Sequence, residues 1–535
     1  MVYGKIRAMK TRTDKPNKRI ELLLQKQAEQ GLSACEKDTL IALQQVRLEF
    51  LEEQFKLAQS KLFASKSEVH VGQGDLFNEV EEIAQLEQEK EDSDTDSDTP
   101  KKKRTRNTKP FADHIPREVI VHDIDEADKV CECCQGEMHC MGKDVTEKFV
   151  FVPATTKVEE HHRLKYACRG CEKNGTKTPI KQAPPVASIL PKSYATPSII
   201  AQLITAKYQH GLPLYRQEVI FSQLGINLCR QTMSDWLIKI ANVLHPILYE
   251  YWHKLLLQQE VIKADETTLQ VIEDDNIKSY MWVYCSGADT PAGNIKGDTS
   301  PNIVLYDYQP SRAGKCAADF LRNDNQQDYT GYLQVDGYPG YHQLPATLVV
   351  CMAHIRRKFK EADKAQSKNS KKTGKATWAL NHIQKLYRIE EAIKTLTIDE
   401  RYKIRQEKSV PLLIQFKTWL DKSAPYVLPE SLLGKALNYA LNQWEKAIRY
   451  CDDGRLDIDN NRSERAIKPF VMGRKAFLFS KTAKGANASA ILYSIVETAK
   501  ANGLVPYDYL MYVMEKIMHG ENDPEKLAPW NVTLS

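Results

Sequence analysis

The clearest periodic pattern in the N-terminal region is a heptad spacing of apolar residues over residues 36–68. Apolar positions alternate by three and four residues, the spacing that directs one side of a helix towards a partner. The seam consists of Ile41, Leu48, Leu51, Phe55, Ala58 and Leu62, with the polar Gln44 between the first two. We expect a helix of about three heptads that forms a coiled coil or packs against its own domain.

A different pattern, of short β-rich runs, occupies residues 258–354. The runs are VIKAD, SYMWVYCSG, NIVLYDYQ, GYLQVDGY and TLVVCMAH, with one helical stretch near residues 315–323. Short runs of β-branched and aromatic residues are typical of strands. The order β-β-β-α-β followed by α/β predicts an RNase H-like sheet, whose first and fourth strands are neighbours.

Helical spacing of apolar residues flanks this sheet on both sides. Residues 355–450 are expected to form a helical insertion in which the aromatic residues are core rather than base-stacking platforms. Those aromatic residues are Trp378, Tyr387, Trp419, Tyr439 and Trp444. Residues 214–240 read as two helices joined at Gly225, either a helix-turn-helix or a generic helical hairpin.

The fold class expected is therefore multidomain α+β. The predicted divisions are a helical coiled-coil region 1–80, a linker 81–109, a cysteine-bearing module 110–185, a helical region 190–257, a sheet 258–354, a helical insertion 355–450, a second core segment 451–515 and a tail 516–535. A chain of 535 residues with 42% hydrophobic residues is long enough for several cores. It has no apolar run that could cross a membrane and no visible secretory signal.

Charge is unevenly distributed along the chain, although the net charge is only +5. Residues 81–98 contain nine acidic residues and one lysine, and residues 101–109 contain six basic residues. Such a segment has little to bury and is expected to be solvated. Its basic half is either a solubilising segment or an arm that follows phosphates.

Two C-x-x-C pairs indicate a structural zinc site. Four thiolates in two pairs suit tetrahedral Zn²⁺, and a site with four protein ligands is closed to substrate. The expected ligands are Cys131, Cys134, Cys168 and Cys171, with Cys133 a bystander and His161 or His162 possible substitutes. Cys351 and His354 resemble half of another metal site, but no partner half is visible, and positioning of a strand end or a nucleic-acid strand is the favoured interpretation.

Three carboxylates indicate a second kind of metal chemistry. Asp265 and Asp336 each end a strand-like run, and in the predicted sheet they would share one edge. Two-metal cleavage of phosphodiesters needs a further carboxylate, usually from a facing helix. Glu464 is the candidate, although Asp459 competes for this role and Glu464 could instead be a solvated capping-box residue. A single aspartate of this kind is usually a turn or N-cap residue.

Basic residues surround this chemistry and suggest contacts with DNA phosphates or bases. Residues 356–375 contain nine basic residues against two acidic ones. The first turn of a recognition helix must expose polar side chains to base edges. The candidate DNA-binding residues are Arg230, Gln231, Ser234, Arg356, Arg357, Lys358, Arg462, Arg465, Lys468, Arg474 and Lys475.

In these segments the sequence closely resembles the TnpC-type transposases of the insertion sequence sixty-six family, over nearly the whole chain. Similar blocks include LEEQFKLAQSKLFASKSE, CECCQGEMHCMGKDVTEKFVFVPA with KYACRGCE, KYQHGLPLYRQEVIF, ADETTLQV, QVDGYPGY, CMAHIRRKF, DGRLDIDNNRSERAIKPFVMGRK and ETAKANGLVPYDYL. Departures are mild: Ala476 stands where the family usually has Asn, and Met352 where Trp is frequent. Neither departure touches the carboxylates or the cysteine pairs.

The resemblance implies a DDE transposase whose triad is Asp265, Asp336 and Glu464. These residues would hold two catalytic Mg²⁺ or Mn²⁺ ions, used to cleave DNA at terminal inverted repeats and to join the ends to target DNA. We expect a homo-oligomer bound to double-stranded DNA, located in the bacterial cytoplasm at the nucleoid. Accessory proteins of the same element are possible partners, and no membrane association is expected.

Two other functions remain open from the residues alone. An RNase H-like structure-specific nuclease would use the same carboxylates but would cut without joining. A zinc and helix-turn-helix regulator would bind DNA without Mg²⁺ and would not need Glu464. The two strand-end aspartates and the helix glutamate in basic surroundings disfavour the regulator.

Overall fold

The computed structural model describes residues 15–29, 31–63, 156–167, 180–276, 278–365 and 374–534. Two compact units are distinguished, Met1–Glu81 with Pro184–Ser535, and Glu82–Ala183. The predicted linker and the four cysteines expected to bind zinc lie outside the described residues, so both stay predictions. None of the described helices is long and apolar enough to span a membrane.

In the second unit the described residues form a two-stranded antiparallel ribbon. Strand β1 (Lys165–Ala167) pairs with β2 (Ile180–Gln182). The guanidinium of Arg163 donates to the Ala183 carbonyl at 2.6 Å, which holds the chain ends of the ribbon together. His161 and His162, named as possible zinc ligands, are exposed beside Glu159 and Glu160.

The first unit contains most of the described helices and a mixed sheet. Its helices are α1 (Lys15–Glu29), α2 (Ala34–Phe63), α3 (Pro197–Ile204), α4 (Leu214–Gln223), α5 (Arg230–Leu244), α6 (Glu250–Leu257), α7 (Gly314–Phe320), α8 (Met352–Ala365), α9 (Lys375–Ile393), α10 (Ile398–Ile404), α11 (Val410–Ser423), α12 (Leu432–Ile448), α13 (Asn461–Phe477), α14 (Ala483–Ala501), α15 (Pro506–Met518) and α16 (Pro524–Leu527). Most of the described residues in the predicted helical regions are helical. The second helix of the candidate helix-turn-helix begins at Arg230, as expected, after a turn in which Gly225 has φ of 79°.

Five described strands form the sheet, and their order follows the predicted pattern. They are β3 (Val261–Leu269), β4 (Ser279–Cys285), β5 (Val304–Gln309), β6 (Tyr332–Val335) and β7 (Thr347–Val350). Across the sheet the order is β5-β4-β3-β6-β7. Strand β4 pairs antiparallel with both β3 and β5, whereas β6 and β7 run parallel to β3. The first and fourth strands of the sheet are therefore neighbours.

The expectation that Asp265 ends its strand is wrong, because β3 continues to Leu269. Antiparallel pairing with β4 extends to Leu269 opposite Ser279, which keeps the backbone extended. The parallel pairing with β6 stops earlier, at Lys263 opposite Gln334. Asp265 therefore lies just beyond the last paired residue on the β6 side, and Asp336 directly follows β6.

Helix α14 covers the edge strand β5 with polar side chains. The backbone N–H of Tyr306 donates to Ser494 Oγ at 2.8 Å, and that of Val304 donates to Thr498 Oγ1 at 3.0 Å. The Thr498 hydroxyl donates in return to the Val304 carbonyl. These bonds satisfy backbone groups that an open edge would leave unpaired.

Helices α8–α12 build a second core beside the sheet. Trp378 and Trp419 stack with ring centroids 4.5 Å apart, and Trp444 is 7% exposed. Tyr387 and Tyr439 pack against the same core, so the expectation that these aromatic residues are structural is confirmed.

A buried arginine links this helical region to the segment before α13. Arg405 is fully buried and forms two bonds to Glu390, at 2.6 and 3.0 Å. It also donates to the carbonyls of Tyr450, Asp453 and Leu456. The helical region thereby fixes the path of the chain into α13, which carries Glu464.

Candidate active site

Asp265 lies on the central strand among other negative charges. Its carboxylate accepts a hydrogen bond from the Glu266 N–H at 2.8 Å. Burial raises the pKa of Asp265 well above its ordinary value, and the negative charges of Glu266, Asp336 and Glu464 raise it further. The three carboxylates predicted from sequence are thus close enough to interact electrostatically.

Asp336 is held at the start of a tight turn after β6. Its carboxylate accepts the Tyr338 N–H at 2.8 Å, and the next residue is Gly337. A Cβ at Gly337 would collide with the hydroxyl of Tyr439 from α12, so a larger residue there would require the Tyr439 side chain to move. Burial raises the pKa of Asp336, while the Tyr338 N–H bond and the charges of Arg312 and Arg357 oppose the rise.

Glu464 lies in the first turn of α13 and is buried at 4% exposure, so the alternative of a solvated capping residue is wrong. The position of Glu464 follows from the hydrogen bonds of Asn460, which lies at the N-terminus of α13. Its side-chain amide donates to the Ala264 carbonyl at 2.8 Å, and its backbone N–H donates to Cys351 Sγ at 3.2 Å. The start of α13 is therefore fastened to the residue before Asp265.

Asp459, the competing carboxylate, is engaged locally. Its two oxygens accept the backbone and side-chain N–H groups of Asn461 at 3.2 and 2.9 Å. Burial and the charge of Asp457 raise the pKa of Asp459 to about 6. These bonds are those of a residue that shapes the beginning of a helix.

Glu266 is a buried carboxylate that sequence reasoning missed. Its side chain is 1% exposed and binds Arg312 Nε at 2.8 Å and the Tyr341 hydroxyl at 2.6 Å. A carboxylate with these two donors is already satisfied, which favours a structural role. No local pattern signals it, because Arg312 and Tyr341 lie 46 and 75 residues further along the chain.

Cys351 and His354 lie close to Glu464, a third possible metal ligand that the sequence did not reveal. Cys351 Sγ, a ring nitrogen of His354 and a carboxylate oxygen of Glu464 lie within 4.8 Å of one another. Cys351 follows β7, His354 lies in the first turn of α8, and Glu464 comes from α13. The group therefore adjoins the carboxylates through a shared residue.

The basic candidates on α13 differ in exposure and partners. Arg462 and Arg465 both bind Asp289, at 2.9 and 2.5 Å, but their side chains are 6% and 44% exposed. Arg474 donates to Thr268 Oγ1 at 2.9 Å, whereas Lys475 is exposed. Asp289 was not identified from sequence, because it lies 173 residues before Arg462.

The remaining basic and polar candidates lie on α8 and α5, with Lys468 half-buried on α13. Arg356 is 8% exposed, Arg357 is half-buried near Asp336, and Lys358 pairs with Glu361 at 3.6 Å. On α5, Arg230 and Gln231 are exposed and Ser234 is half-buried. The first turn of α5 thus offers polar groups to solvent, as a recognition helix requires.

Comparison with known families gives four matches along the chain. A profile described as "Transposase IS66 family" matches residues 192–488, which include the three carboxylates. The profile "zinc-finger binding domain of transposase IS66" matches 128–172, "Transposase C of IS166 homeodomain" matches 50–120, and "IS66 C-terminal element" matches 494–530. The two C-x-x-C pairs fall within the second match.

Curated relatives come from Sinorhizobium fredii (strain NBRC 101917 / NGR234). Uncharacterized protein y4jD is 32% identical over 442 residues, covering 80% of this chain and 82% of the relative. Uncharacterized protein y4qI is 31% identical over 443 residues, covering 80% of this chain and 77% of the relative.

Proposed function

The chain belongs to the IS66 family of transposases, and from this membership we propose that it cleaves DNA at the terminal inverted repeats of an insertion sequence and joins the freed ends to target DNA. The observation that carries this proposal is the convergence of Asp265, Asp336 and Glu464, supported by the parallel pairing of β3 with β6 and by the bond from Asn460 to the Ala264 carbonyl. Their separation in sequence, 265 to 464, makes this convergence a product of the fold.

The sheet supports an RNase H-like core. Three antiparallel strands are followed by two strands parallel to the first, and the fourth lies beside the first. This arrangement brings an aspartate from the first strand and one after the fourth to the same edge. The helical region of α8–α12 then lies in sequence between this sheet and the helix that carries Glu464.

The donor set fits Mg²⁺ or Mn²⁺. Carboxylate oxygens are the ligands these hard cations prefer, and Asp265, Asp336 and Glu464 offer only such oxygens. Burial and the neighbouring negative charges together raise the pKa of Asp265, and a bound cation would offset both effects. The chemistry supplied by two bound ions would be activation of a water or 3′-hydroxyl and stabilisation of the leaving oxygen.

The protein residues then have positioning and electrostatic roles. Asn460 and the Gly337 turn hold Glu464 and Asp336 beside the central strand. The exposed Arg465, with Lys468 one turn later, would bind DNA phosphates flanking the cleaved bond. No side chain acts as the nucleophile in this proposal, so no covalent protein–DNA intermediate forms.

DNA recognition is proposed for the other modules. The zinc-finger segment, the first turn of α5 and the basic half of the linker would bind the element ends. Because two ends must be processed together, we propose a homo-oligomer with one bound end per active subunit. Accessory proteins of the element are further candidate partners.

The test is strand transfer in vitro with the full chain. Labelled DNA carrying the inverted repeats that flank its gene is mixed with Mg²⁺ and a target plasmid. We expect a joined product that Asp336→Asn abolishes while end binding is retained, and that the exposed control Asp275→Asn leaves intact. Full joining by Asp336→Asn would refute the triad, and cleavage without joining by the wild type would favour the nuclease.

A further inference from the structure

A cluster of sulfur, nitrogen and oxygen donors adjoins the proposed catalytic carboxylates. Cys351 Sγ, a ring nitrogen of His354 and a carboxylate oxygen of Glu464 lie within 4.8 Å of one another. Cys351 and Glu464 are 2% and 4% exposed. Cys351 and His354 are three residues apart at the start of α8, whereas Glu464 comes from α13, so the fold brings the glutamate to this pair.

The thiol of Cys351 and the ring of His354 have atoms that are available to bind a cation. Cys351 forms no disulfide with any described cysteine, and its Sγ accepts the Asn460 N–H at 3.2 Å. His354 Nδ1 is buried and has no hydrogen-bond partner among the described residues. A buried polar atom without a partner costs free energy, and in native proteins it calls for a specific explanation such as an ion.

The donor set differs in kind from that of the three carboxylates. Thiolate and imidazole ligands favour Zn²⁺ and similar borderline cations over Mg²⁺. Tetrahedral zinc with bonds of about 2.0–2.3 Å holds its ligands roughly 3.2–3.8 Å apart. The ligand atoms here lie within 4.8 Å of one another, so a contraction of at most about 1.6 Å would bring them to that spacing. Three protein ligands leave the fourth position open.

We propose that Cys351, His354 and Glu464 form a binding site for a borderline divalent cation such as Zn²⁺, which competes with Mg²⁺ for Glu464. On Zn²⁺ binding the Cys351 thiol would release its proton to solvent, and a Glu464 carboxylate held by Zn²⁺ would be less available to Mg²⁺. Metal binding stands on the cluster alone, whereas inhibition of DNA joining rests on the proposed function. The proposed ligands include none of the four cysteines predicted to bind structural zinc.

The first experiment measures metal binding without any reaction. Metal-free full chain is titrated with Co²⁺, and the sulfur-to-cobalt charge-transfer absorption is recorded. We expect Cys351→Ser and His354→Gln each to lose about one equivalent of bound Co²⁺ relative to wild type. Cys451→Ser, which removes another buried cysteine, should bind as wild type does.

Retention of every Co²⁺ equivalent by a folded Cys351→Ser or His354→Gln chain would overturn the proposal. Circular dichroism identifies the variants that fold. If Cys351→Ser does not fold, the Co²⁺ binding of His354→Gln tests the proposal. Because the four-cysteine ligands are present in all these chains, their contribution cancels in the comparison.

The second experiment measures inhibition, in the strand-transfer assay at fixed Mg²⁺. Each variant is compared with its own rate without Zn²⁺. We expect the Zn²⁺ concentration for half-inhibition to rise at least about tenfold in Cys351→Ser, as it should when a ligand is lost. Equal inhibition of wild type and Cys351→Ser would overturn the competition, whereas absence of joining in all chains would count against the proposed function and leave the Co²⁺ result standing.

Discussion

At the level of single residues, the candidate site gathers negative charge that burial makes costly. The pKa of Asp265 is raised, so the folded chain binds more protons than the unfolded chain between the ordinary pKa and the raised one. Stability therefore falls as the pH rises through that window. Above the window Asp265 is ionised in the folded chain, and the loss of folding stability is complete. A bound cation would remove this cost, which connects stability to metal binding.

Asp265→Asn would remove one buried negative charge from the candidate site. In chelator at neutral pH, removal of the charge should raise the Tm by about 2–4 °C, the shift expected for roughly 1 kcal/mol in a large domain. Added Mg²⁺ should raise the Tm of wild type more than that of the variant. Thermal unfolding followed by circular dichroism measures both, with the exposed Asp275→Asn as control, and a lower Tm for Asp265→Asn in chelator would contradict the argument.

At the level of strands and helices, most elements can be predicted from the sequence because the spacing of apolar and β-branched residues is a local property. Five β-rich runs became five strands, and the helix at Arg230 begins where the Gly225 turn predicts. The end of β3 was misjudged because it depends on pairing with β4, which no property of VIKAD reports. Antiparallel pairing extends the strand past Asp265 to Leu269.

In the candidate site, likewise, the sequence indicates some residues, whereas others are revealed only by tertiary contacts. The three carboxylates were identified from their neighbouring residues and the family resemblance, and their catalytic role stays a prediction. The sequence indicates Asn460 only as part of a helix start, because its bond to the Ala264 carbonyl spans 196 residues. Glu464 as the partner of Cys351 and His354 was likewise invisible, because tertiary packing alone brings them together.

Two arginines of helix α13 differ in exposure, and we therefore expect them to have different roles. Arg465 is 44% exposed and Arg462 is 6% exposed, although both bind Asp289. Arg465→Gln should lower the slope of log binding constant against log salt by about 1, since one phosphate contact is lost. Arg462→Gln should instead cost about 1–3 kcal/mol of stability by disturbing a buried, bonded charge.

Fluorescence anisotropy with element-end DNA over a range of salt concentrations measures the slopes, and thermal unfolding measures stability. Arg322→Gln is the control, because Arg322 also pairs with an aspartate, Asp328, and is 35% exposed. An unchanged slope in Arg465→Gln together with a reduced slope in Arg462→Gln would reverse the assignment of the two residues.

For the full chain, the proposed function requires two DNA ends to be held together, and α2 offers a surface for self-association. Four of its seam residues are large, apolar and more than half exposed: Ile41 at 63%, Leu48 at 52%, Leu51 at 52% and Phe55 at 64%. Their spacing of seven, three and four residues is that of a coiled-coil seam. An apolar row of this kind in water is costly and is typical of a surface that a second protein covers.

We therefore predict that Leu48→Glu weakens self-association of the full chain. A leucine that becomes buried in the seam contributes about 1.5–3 kcal/mol, so a charge there should lower the association constant more than about tenfold. Gln45→Glu is the matched control, because it adds the same charge at an exposed polar position of the same helix. Sedimentation velocity over a range of protein concentrations measures the association. Equal association of both variants and wild type would mean that α2 does not join the subunits, and that the pairing of DNA ends depends on another surface.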